Sequence, residues 1–94
     1  ELEGVKSAYH LYVIQLKTVD RRKVFEKLRA LDIGVMVHYI PVYRHPFYRD
    51  MFYNKPEHYP VTEQYYERAL TLPLYPSMSD GDVKYVIKSV KESL

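Results

Sequence analysis

Ninety-four residues fit one domain, and a chain of that size buries roughly 60 to 65% of the surface it exposes when unfolded, enough for one modest core. With 47% hydrophobic and 28% charged residues, the composition is that of an ordinary globular domain rather than a disordered or fibrous chain. Its 14 basic and 12 acidic residues are interspersed and leave a net charge of +2, which is no footprint for nucleic acid. Zero cysteine removes disulfides and thiol chemistry and agrees with a reducing compartment. No apolar run approaches the roughly 20 residues of a membrane helix and no stretch reads as a signal peptide, so a soluble, cytoplasmic chain is expected. The start at Glu1, without a methionine, suggests a piece of something longer.

The first predicted element is a strand from Ser7 to Lys17, rich in aromatic and β-branched residues, with Leu11 and Val13 on one face and Tyr12 and Ile14 on the other. Two apolar faces suit a central strand covered on both sides. Asp20 then reads as an N-cap, and Val24, Phe25, Leu28 and Leu31 recur at helical spacing, which predicts a helix from about Arg21 to Leu31. Glu26 can meet Arg22 or Arg29 on its solvated face. Gly34 is the natural residue for a positive φ at its end.

Val35 to Tyr39 reads as a second strand, and Pro41 stops it. Val42 to Pro60 is a long aromatic connection with a short helical turn expected near Pro46 to Phe52, since proline suits a first helical position. A connection of this length in a compact domain binds something or packs against a neighbour. Thr62 is the expected cap of a helix to about Leu70, and Thr71 to Tyr75 the expected third, edge strand, because Pro73 lacks a donor. Ser79 and Asp82 imitate a capping box ahead of an apolar stripe through Val83, Val86, Ile87, Val90 and Leu94, so a last helix spans Asp80 to Ser93. The predicted class is α+β, a small two-layer sandwich of a three-stranded sheet with helices on one face, forming one domain over residues 1–94.

Little in this order forms a catalytic set. His10, His38, His45 and His58 lack metal-ligand spacing, the 3 glycines stand apart, and the carboxylates sit on presumed helix exteriors, so no metal is expected. The 11 tyrosines against 3 phenylalanines carry hydroxyls that must reach water or a partner, which places them on a half-wet boundary or against a ligand. His38, Tyr39, Tyr43, Arg44 and His45 cluster after a strand end. Imidazole and phenols can bond sugar hydroxyls, and Arg44 can pair with a phosphate or carboxylate; equally, these groups can tie the long connection to the domain.

Four runs carry a resemblance: SAYHLYVIQL from Ser7 to Leu16, LRALDIG from Leu28 to Gly34, VHYIPVYRHPFYR from Val37 to Arg49, and ALTLPLYPSMSD from Ala69 to Asp80. In this order they resemble the C-terminal small domain of the DegT/DnrJ/StrS-type nucleotide-sugar aminotransferases, in particular members that aminate a 4-keto sugar on a UDP carrier in pseudaminic acid synthesis. The resemblance implies an aspartate aminotransferase-like fold, pyridoxal phosphate as cofactor, glutamate as amino donor and a homodimer, with no nucleic acid or membrane as partner. It also implies that the cofactor and its lysine belong to a large domain outside this chain, so that no catalytic residue lies here and the chain alone is inactive. In the family the segment after the second strand closes over the sugar nucleotide. The matching positions are His38, Tyr39, Ile40 and Pro41, with Tyr43, Arg44 and His45 as further substrate-contact candidates. Their implied role is positioning and exclusion of water rather than proton transfer. The rival expectation is a stand-alone α+β module that binds a ligand or dimerises.

Overall fold

In the computed structural model, which describes residues 2–94, the elements run β1 (Tyr12–Gln15), α1 (Arg21–Ala30), α2 (Pro46–Phe52), α3 (Pro60–Arg68), β2 (Ala69–Leu72) and α4 (Asp80–Ser93). Single 3-10 turns, Val42–Arg44 and Pro56–His58, flank α2. β1 and β2 are antiparallel, with Tyr12 opposite Leu72 and Ile14 opposite Leu70. Residues opposite one another share a face, so Ile14 and Leu70 point together toward α1 and α4. There Leu16, Val24, Leu28, Val35, Leu70 and Val86 form the buried core. Full burial of Leu28, Leu70, Val24 and Val35 contributes roughly 1.5–3 kcal/mol for each side chain. Among the described residues no helix is long and apolar enough to cross a membrane.

Both core helices are punctuated as the residues dictate. Asp20 Oδ1 accepts from the Arg22 amide at 2.8 Å and opens α1. Ser79 Oγ accepts from the Asp82 amide at 3.1 Å while Asp82 Oδ2 accepts from the Ser79 amide at 2.9 Å, a reciprocal cap that opens α4. Two contacts tie the helices across their ends: Lys27 Nζ donates to the Ser93 carbonyl, and the Tyr85 hydroxyl to the Leu31 carbonyl at 3.1 Å.

The end of α1 departs from expectation. Asp32, at φ 58°, takes the left-handed position, and Gly34 does not have a positive φ. The Ile33 amide reaches back to the Leu28 carbonyl and the Asp32 amide to Arg29, the paired bonds of a Schellman turn, and Leu28 and Ile33 are both buried in the core. That apolar contact sets the turn one residue after Leu31, where a short polar aspartate tolerates the conformation.

The sheet has two strands, not three. The predicted second strand shrinks to a single bridge between Met36 and Thr71, and the predicted first strand to four residues. Proline explains the loss of the second strand: the register of the bridge sets Gly34 opposite Pro73, whose nitrogen faces that side of β2, as the Thr71 amide does, and has no N–H to continue the ladder. Tyr9, at φ 48°, turns the chain out of an extended path. β2 is consequently the middle element, between β1 and Met36, rather than an edge, and β1 lies at the side instead of the centre. It starts straight out of α3, because Ala69 and Leu70 are buried at the sheet instead of finishing the helix. Thr62 caps nothing: α3 begins at Pro60, where the proline occupies the first turn and needs no donor. α2 and α4 match their predicted spans.

Candidate functional site

Thr71 interrupts the apolar run Ala-Leu-Thr-Leu of β2 and points to the face opposite the core helices. Its backbone exchanges two hydrogen bonds with Met36, at 3.1 and 2.8 Å, and its hydroxyl meets His38 Nδ1 at 3.0 Å. Two residues beyond Met36 along the chain, His38 returns to that same face, half-buried, and its ring meets the Tyr39 ring edge-on with centroids 4.6 Å apart. Tyr39 and Ile40 are exposed, whereas Pro41 is buried and its carbonyl accepts from the Arg44 amide to open the next turn. The solvent-facing part of this run is therefore His38, Tyr39 and Ile40, and Pro41 is withdrawn from it.

The 3-10 turn that follows sends Tyr43 and Arg44 elsewhere. The Tyr43 hydroxyl donates to Glu63 Oε1 at 2.7 Å and Arg44 Nε to the same oxygen at 2.9 Å, while Arg44 Nη2 pairs with Oε2. Burial, then the hydrogen bond to the Glu63 carboxylate, push the Tyr43 phenol up to about 12. The Arg44 guanidinium first, and the Tyr43 hydroxyl second, hold the Glu63 carboxyl below its ordinary range. Tyr43 also stacks on Tyr59 at 4.3 Å, and Arg44 and Arg21 lie over the Tyr66 ring, 5.2 and 4.9 Å from its centroid. Arg21 Nη1 donates to the Tyr66 carbonyl. An ionised carboxylate satisfied by a neutral phenol and a cation is a brace between this turn and α3, with its lone pairs spent on the protein. His45 is exposed, and only its backbone acts, opening α2.

The seven predicted site residues thus divide into a rim at 38–41, a brace of Tyr43 and Arg44, and a detached His45. Two partners went unrecognised from the residues alone, Thr71 and Glu63. A polar residue inside a buried apolar run was the available signal for Thr71, because buried hydroxyls are paired. Glu63 sits 19 and 20 residues from its partners, and no local pattern announces it. All eight lysines are exposed, so none is held desolvated in the way a carbonyl-capturing lysine requires.

The model of the DegT/DnrJ/EryC1/StrS aminotransferase family matches residues 1–91. The chain belongs to this family. The spore coat polysaccharide biosynthesis protein SpsC of Bacillus subtilis is 45% identical over 95 residues, covering 93% of this chain and 24% of SpsC. Among solved structures, Spr1654 of Streptococcus pneumoniae, named as a sugar aminotransferase, superposes in its PMP form with a TM-score of 0.90 at 28% identity, covering 99% of this chain and 24% of that one. Helicobacter pylori PseC, an aminotransferase involved in the biosynthesis of pseudoaminic acid, superposes at 0.86 with 26% identity, covering 94% and 24%. The chain spans about a quarter of the length of the relatives it matches.

Proposed function

We propose that this chain is the C-terminal small domain of a pyridoxal phosphate-dependent sugar aminotransferase, a cytoplasmic homodimer that moves an amino group from glutamate to a 4-keto sugar on a UDP carrier. The observation that carries this reading is the family match over residues 1–91 in a chain a quarter as long as its relatives. The names of SpsC and PseC support a sugar substrate in cell-surface or spore polysaccharide synthesis. The large domain would supply the cofactor, its lysine and the bond-making chemistry. What this chain contributes is a wall: His38, Tyr39 and Ile40, seated on Pro41, hold the sugar nucleotide in place and keep water away from it. Correct placement of two reactants supplies several kcal/mol of a reaction barrier in general.

Two measurements test the halves of this reading. The 94-residue chain mixed with pyridoxal phosphate should show only the spectrum of the free cofactor; a shifted visible band that borohydride fixes to one lysine refutes the division of labour. In the full-length enzyme, His38→Ala should weaken the half-reaction with the keto sugar far more than the half-reaction with glutamate. Equal losses in both would make His38 a structural residue.

A further inference from the structure

Thr71 is only 5% exposed, and the one side-chain hydrogen bond its hydroxyl makes is the 3.0 Å contact with His38 Nδ1. That contact can be written two ways. If Nδ1 carries the proton and donates, the threonine hydroxyl accepts and its own proton is stranded in a buried place, which costs the desolvation of an unmade bond. If the hydroxyl donates to a bare Nδ1, both atoms are satisfied. The second arrangement leaves the single proton of the neutral ring on Nε2, which has no partner among the described residues. The hydrogen bond made by one ring nitrogen decides what the other presents.

We infer that Thr71 is a positioning residue that fixes His38 as its Nε2–H tautomer, so that the rim offers an N–H donor to an acceptor oxygen of the ligand. This rests on the reading of 38–41 as the substrate wall and sharpens it. A rim of this kind selects a carbonyl, hydroxyl or phosphate oxygen and does not hold a ligand through an N–H or ammonium group. The role also accounts for a polar side chain in the centre of a buried strand, where valine would fill the same space and suit the pleated backbone as well.

The test uses the full-length holoenzyme and follows the two half-reactions separately. Thr71→Val, which keeps the shape and removes the hydroxyl, should raise KM for the keto-sugar nucleotide about three- to tenfold and leave the glutamate half-reaction unchanged, while Thr71→Ser restores the wild-type value. In a His38→Ala background the valine substitution should add nothing further. Competition by UDP alone assigns the oxygen: a loss of UDP affinity in Thr71→Val points to phosphate, and a loss confined to the sugar nucleotide points to the sugar. A selective defect in His38→Ala with wild-type kinetics in Thr71→Val overturns the inference and spares the wall. The inference also falls if serine fails to restore what valine removes, or if the valine defect persists in full without His38. No sugar-selective defect in His38→Ala overturns the wall itself, and Thr71 with it.

Discussion

The helix-covered side of the sheet and the arm from Tyr39 to Tyr59 are held by different physics. On the first, α1 and α4 close over Leu28, Val24, Val35 and Leu70, and the interactions are dispersion and burial. In the second only Pro41 is buried, although the arm carries Phe47, Tyr48, Met51, Phe52 and Tyr53 in or beside one two-turn helix. Its order comes from discrete pairs: the Glu63 brace, the Tyr43–Tyr59 stack, and the Tyr59 hydroxyl donating to Asn54 Oδ1 at 2.9 Å. Burial is non-directional and insensitive to protons, whereas hydrogen-bonded charges are directional and titrate. One chain of 94 residues therefore has a side that responds to volume and a side that responds to pH.

The largest effect expected from this contrast is on the buried side. Leu28→Ala should lower unfolding free energy by about 2–5 kcal/mol, because the site is enclosed by α1, α4 and the sheet and collapses only in part. A domain of this size holds only on the order of 5–10 kcal/mol in total, so that single change removes much of it. Phe52→Ala deletes a larger side chain that is 57% exposed and should cost within about 1 kcal/mol. Urea unfolding of the two variants is the direct comparison. A Phe52 loss as large as that of Leu28 would break the distinction and make the arm part of the core.

The same contrast sorts what could be read from the residues. α1 and α4 were legible because each carries its own cap, Asp20 or the Ser79–Asp82 pair, and an apolar face at helical spacing; α2 was legible because Pro46 announces a first turn. The strands were not, since their length depends on what lies opposite. Val35 to Tyr39 has every mark of a strand by composition, yet Pro73, more than thirty residues away, offers no N–H to the pair that would follow the Met36–Thr71 bridge at Gly34. In the candidate site, the residues themselves drew attention to His38 and Tyr39 as polar rings after a strand end, and the family resemblance added Ile40 and Pro41 to the expected set. For Tyr43 and Arg44, where the residues left ligand or tether open, the structure supplies a tether partner in Glu63, a residue on a helix whose exterior reading gave no reason to single it out.

The arm offers a smaller and more selective response to protons. The Glu63 carboxyl titrates below its ordinary range in the folded chain, so its contribution is present above the unfolded value and is lost as pH falls through the folded one. Tyr43 works in the opposite sense. Its phenol is raised from 10.0 to about 12, so the neutral form is favoured by folding; that contribution is complete below 10.0 and disappears as pH climbs toward about 12. The brace should therefore be firmest across the neutral range and loosen at both extremes. Amide hydrogen exchange at Arg44 and His45, whose N–H groups close the 3-10 turn on Pro41 and Val42, reads this locally. Glu63→Gln should lower protection there at neutral pH and abolish its loss on the acid side, while the alkaline loosening, set first by burial of the Tyr43 phenol, persists and amides of α1 and α4 keep wild-type protection. Equal loosening of α1 would mean that the brace supports the whole domain, and no change at the turn would mean that the Tyr43–Tyr59 stack holds it without Glu63.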